Sequence, residues 1–246
     1  TARAEHTEAF RRIVLELDAH RPWVVKEPRL SLLLPVLRPL LESPVFVHVT
    51  REPLEIAESL HARNDFPVPV GLALWEVYTR LGLAASDGEP RVHVDYGALM
   101  ADPVATTERL IEELTTIGVP ALRMPTEREV TAFIAPSLHR QHQAPEQRAG
   151  HLNAEQEALA EAVATGRVDA VAGAPISEGA LATLRAFEAS QAVRAELRQT
   201  QLDAASEQVR LADEHRLLVN ELRSAHRAAE EQLRIEHRAA LSAQRA

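Results

Sequence analysis

Apolar positions along the chain switch between helical and extended spacing. In residues 5–19, Phe10, Ile13, Val14 and Leu17 recur at helical intervals and predict an amphipathic helix. Trp23-Val24-Val25-Lys26, bounded by Pro22 and Pro28, reads as a short buried strand. Val45 to Val49 has the same character and stops at Thr50-Arg51-Glu52-Pro53, a strand end running into a helix start with Pro53 in the first turn. A helix over Leu54–Arg63, a longer one over Val70–Ala85, a third strand at Arg91–Val94 and a helix from Asp102-Pro103 through Leu114 follow. Alternating apolar strands and helices predict an α/β fold, a parallel sheet flanked by helices.

Between Ile134 and Gly150 the chain turns polar, with Pro136 and Pro145, and reads as a surface loop before a helix resumes near Ala154. Gly166–Ser177, with small residues and Pro175, marks the edge of a globular part assigned to residues 1–170. Residues 178–246 are mostly Ala, Glu, Gln, Arg and Leu, with no Gly or Pro after Gly179, and predict a long helical tail. Leu211, Leu218, Leu222, Ala225 and Ala229 follow a three-four spacing that is coiled-coil-like, interrupted by polar positions such as His215. A solvated helix packed on its own domain and a self-associating helix both fit this pattern, and no internal repeat stands out.

Composition narrows the function classes. A net charge of −9 argues against a nucleic-acid binder, which needs a surplus of Lys and Arg. The absence of cysteine leaves neither disulfides nor thiolate metal sites, and cytoplasm is the default compartment. No apolar run approaches the ~20 residues of a membrane span. The histidines at 139, 142 and 151 cluster, yet lack cysteines or an acidic pair at ligand spacing, so no metal is assigned.

The segment VFVHVTREPLEIAESL places Arg51 at the carboxyl end of a strand and Ser59 two turns into the next helix. Both then face the crevice where open parallel sheets bind ligands, and a guanidinium fork with a hydroxyl suits a phosphate. An ion pair for Arg51 and a packing role for Ser59 are the plainer alternatives.

The pattern R-x-P-x-x-x-A-x-S from Arg51 to Ser59 resembles the 3′-phosphate motif of sulfotransferases that use 3′-phosphoadenosine 5′-phosphosulfate (PAPS). The blocks WVVKEPRLSLLLPVLRPLL, PVPVGLALWEVYTR and VHVDYGALMADP resemble bacterial sulfotransferase-like proteins in the same order, over roughly residues 20–140. The resemblance implies a P-loop NTPase-like sulfotransferase fold whose first βα unit is missing, because no Gly- and Ser/Thr-bearing 5′-phosphosulfate loop occurs in the chain. It implies PAPS as the donor, Arg51 and Ser59 on its 3′-phosphate, Tyr96 on the adenosine and Arg140 as a further cofactor contact. Tyr96 is followed by Gly97 where relatives carry an acid.

Lys26 corresponds to the lysine near the transferring sulfuryl group, with an ion pair to Glu27 as the plainer reading. Glu27 is placed as a base for the acceptor hydroxyl, where bacterial relatives usually carry Asp, and Arg29 either contacts an anionic substrate, braces Glu27 or bridges to Glu52 or Asp95. The expected function is transfer of a sulfuryl group to a hydroxyl or amine acceptor, with carbohydrates among the candidates, by a fragment beginning at Thr1. The alternative is a non-catalytic relic that oligomerises or scaffolds through its helical tail. A nucleotide or carbohydrate kinase fragment shares the sheet plan but lacks the Lys-bearing phosphate loop and magnesium ligands.

Overall fold

The structure, a computed structural model, describes residues 2–134 and 150–243. Its helices are α1 (Ala2–Asp18), α2 (Leu30–Leu37), α3 (Pro53–Asn64), α4 (Val68–Ala85), α5 (Tyr96–Ala101), α6 (Pro103–Ile117), α7 (Glu127–Phe133), α8 (Ala154–Ala164) and α9 (Glu178–Ala243). Two strands, β1 (Phe46–Thr50) and β2 (Arg91–Asp95), pair in parallel, with Phe46 opposite Arg91 and Thr50 opposite Asp95. Residues 1–187 form one compact unit and residues 188–246 a second.

This architecture corrects the expectation of a parallel sheet flanked by helices. Among the described residues the sheet has two strands, and helices make up most of the chain, so the P-loop, sulfotransferase-type sheet is not built. The strand predicted at Trp23–Lys26 is irregular backbone in which Val24 is 89 % exposed. Local polar contacts offer a physical reason. The Trp23 indole N–H donates to Asp18 Oδ1 at 2.9 Å, and Arg21 also donates to Asp18 through Nε and Nη2, holding the segment against the end of α1. Three apolar residues in a row do not by themselves establish a strand.

The helices start at chemically sensible points, including α7, which was not expected from the sequence. Pro53 occupies the first turn of α3, and the Asp102 side chain caps α6 by accepting from the Ala105 N–H at 3.0 Å. Thr126 and Glu129 form a reciprocal capping box at α7, and Asn153 and Gln156 form another at α8.

Helix α4 is the centre of the first unit. It is apolar on most sides, as a helix buried on most sides should be, with Val70, Leu72, Ala73, Trp75 and Leu83 out of solvent. Leu72, Leu83 and Leu159 are among the largest fully buried side chains, each contributing roughly 1.5–3 kcal/mol. On one side α4 meets α3 so closely that a Cβ added to Gly71 would lie 2.6 Å from the Ala57 Cα. On another, Trp75 packs with Leu159, Ala160, Val168 and Ala172, so it fills the junction with α8 and the turn after it.

Candidate functional site

The tips of the parallel strands bring Arg51 and Tyr96 together. Thr50 and Asp95 are register partners, so the residues that follow them emerge side by side, and the Arg51 guanidinium carbon lies 4.9 Å from the centre of the Tyr96 ring. Arg51 Nε also donates to Glu55 Oε2 at 2.7 Å, one helical turn into α3. Glu55 is buried, and sequence reasoning missed it although its i, i+4 spacing from Arg51 was visible. Ser59 is half-buried a further turn along α3. A phosphate arriving at Arg51 must share the guanidinium with the Glu55 carboxylate.

The residues assigned to acceptor chemistry form a local cluster. The Glu27 carboxylate accepts from Arg29 Nε at 2.8 Å and from the Arg29 backbone N–H at 3.2 Å. These two bonds, the side-chain one foremost, hold Glu27 below the usual carboxylate range and make it a weaker base. Lys26 and Arg29 are exposed on the irregular segment before α2. Arg140, His139 and His142 lie outside the described residues. His151 is described and exposed, and among the described residues no group of three or more His, Cys, Asp or Glu side chains is placed to hold a metal.

The most heavily buried polar cluster lies elsewhere. Glu76, fully buried on α4, accepts from the Ser177 N–H at 2.7 Å and from Arg80 Nε at 3.0 Å through one oxygen, and from the Ser177 hydroxyl at 2.8 Å through the other. Arg80 Nη2 donates to the Glu155 carbonyl at 3.2 Å, and Asn153 Nδ2 donates to the Ser177 hydroxyl at 3.1 Å. Burial pushes the Glu76 carboxyl up, but the donors from Ser177 and Arg80 outweigh it and hold the group ionised, below its ordinary value. Beside this network lies a hollow of about 240 Å³ lined by Leu72, Ala73, His151, Asn153 and Thr183 among others. Its sequence signals were a Glu and an Arg four apart inside an otherwise apolar helix, and Ser177 just before a helix start.

A second polar pair, half-buried, sits on the sheet. The rings of His48 and His93, register partners, stack 5.2 Å apart. The Ser86 hydroxyl lies 3.0 Å from the Gly82 carbonyl and 2.8 Å from His48 Nε2. With its single proton given to a helix carbonyl, Ser86 accepts from His48, which is then the neutral Nε2–H tautomer. Burial first, then His93 and Arg91, push the His48 pKa down to about 4.

Compared with protein-family models, curated proteins and solved structures, the chain matches none. The expected sulfuryl-transfer function is corrected by the architecture. A mostly helical unit with two paired strands is not the α/β core on which that chemistry was predicated.

Proposed function

We propose that this chain is a non-catalytic scaffold that associates with partner chains through α9. The observation that carries the proposal is α9 itself, a helix of 66 residues. From Glu188 onward every side chain described is exposed, and Val193, Leu197, Leu202, Val209 and Leu222 are each more than half exposed. Most helical stability in proteins comes from packing an apolar face rather than from intrinsic propensity. Intrahelical ion pairs such as Arg216 with Asp213 at 3.2 Å add only a few tenths of a kcal/mol each. A helix this long with large apolar side chains in water is suited to burial against another chain.

On this reading the motif blocks around Arg51 reflect descent. Arg51, Ser59 and Tyr96 are then a remnant in which the Arg51 guanidinium is taken up by Glu55 and Tyr96.

Sedimentation equilibrium tests the proposal. The full chain is expected to sediment as an oligomer and a chain ending at Phe187 as a monomer. A full chain that stays monomeric across the accessible concentrations overturns it.

A further inference from the structure

Although no repeat stands out over the chain as a whole, the part of α9 that begins at Leu211 carries a short period of eleven residues. Leu211, Leu222 and Leu233 stand at this interval, and so do His215, His226 and His237, each followed by Arg. Leu218, Ala229 and Ala240 complete the spacing of four, three and four. A heptad continued from Leu211 through Ala229 reaches Gln232 and Glu236, whereas the eleven-residue period reaches Leu233 and His237. Eleven residues make three turns at about 3.67 residues per turn, so these positions hold one stripe that winds with a gentle right-handed twist. Leu211, His215, Leu222 and His226 are exposed on the helix surface.

The charges beside this stripe are sorted by sign. Placed at about 98° per residue, Glu214 and Glu221 fall on one flank and Arg216, Arg223 and Arg227 on the other. In the sequence the same period recurs with Glu236 and with Arg234 and Arg238, while Glu230 breaks it. Two copies facing each other in parallel set the acidic flank of each against the basic flank of its partner. Antiparallel copies set acid against acid and base against base, which is destabilising. Glu214 already pairs with Arg210 along its own helix, so a partner's Arg shares that carboxylate.

We propose that α9 pairs with α9 of a second copy of this chain, parallel and in register, along the Leu–His seam of the eleven-residue repeat. This rests on the association function above and adds the partner, the direction and the contact stripe. Polar layers in such a seam commonly cost stability and fix register. A one-residue slip removes the stripe from the interface, and a slip of four residues sets His layers against Leu.

Single cysteines in the full-length chain, which has none of its own, test the proposal. Leu211→Cys and Leu222→Cys should each form disulfide-linked dimers on mild oxidation, at least tenfold faster than Asn220→Cys on the far side of the helix. Both must do so, because an antiparallel pair brings identical residues together only at its centre, whereas a parallel pair does so along its length. If the unmodified chain sediments as an oligomer while only one or neither seam cysteine crosslinks with itself, the parallel seam is overturned and association through α9 stands. If the unmodified chain is monomeric, both fall.

Discussion

Glu76 on α4 accepts both the backbone N–H and the hydroxyl of Ser177, which lies 101 residues further along the chain. The same hydroxyl oxygen accepts from the Ala180 N–H at 3.1 Å and so caps the start of α9. Removing the carboxylate leaves Arg80 buried with its charge unpaired. Glu76→Ala is therefore expected to cost roughly 3–5 kcal/mol. Ser177→Ala, which removes the cap and one hydrogen bond to a charged group, should cost about 1–3 kcal/mol. Urea unfolding of the two variants checks the order. A Glu76→Ala loss no greater than that of Ser177→Ala is incompatible with the buried pair described.

Gly71 is required by space. An added Cβ would meet the Ala57 Cα at 2.6 Å and its Cβ at 2.8 Å, so α3 and α4 must separate to admit it. Alanine normally favours a helix by about 1 kcal/mol over glycine. Here Gly71→Ala should instead destabilise by ~1–3 kcal/mol, the scale of an overpacked core. Adding Ala57→Gly should rescue only part of the loss, because the backbone of residue 57 still stands in the way. A more stable Gly71→Ala variant in thermal unfolding contradicts the close helix approach.

The stacked histidines make stability fall in acid. Both pKa values lie below the ordinary 6.5, with burial as the first cause, followed by His93 and Arg91 for His48 and by Arg91 for His93. Protons therefore bind the unfolded chain more readily than the folded one. The contribution is present in full above about pH 6.5 and is lost as the pH falls towards 4, by roughly 3 kcal/mol for His48. The urea midpoint measured between these pH values should drop, and His48→Gln should flatten the dependence. A midpoint that is level with pH in the wild-type chain rules the neutral stacked pair out.

Arg51 and Glu55 should behave as one structural unit. Their side chains are only 20 % and 8 % exposed, so the pair is screened less than a surface ion pair. Arg51→Ala and Glu55→Ala should each cost about 1–3 kcal/mol, and the double variant should cost less than their sum by ~1 kcal/mol or more. Simple additivity in a double-mutant cycle would remove the coupling.

Local elements were largely legible in the sequence. Val45–Val49 and Arg91–Val94 became β1 and β2 with small shifts of boundary, and Pro53, Asp102 and Asn153 stand at the helix starts that their chemistry favours. The helix from Glu178 follows from a composition without glycine or proline beyond Gly179. These features depend on each residue's own conformational preferences and on spacing within a few turns.

Partnerships distant along the chain were decided by tertiary structure. Trp23–Lys26 looks like a strand by composition, but a strand requires a neighbour, and Asp18 instead draws Trp23 back towards α1. Arg51 was foreseen at a strand tip, while the buried Glu55 beside it and the Tyr96 ring beneath it depend on how α3 and β2 pack. Glu76 and Ser177 meet only because α4 and the start of α9 enclose the same dry space, where an unpaired carboxylate would be costly. Spacing along the chain determined helix faces and termini; which face met which was settled by burial, a property of the whole folded unit.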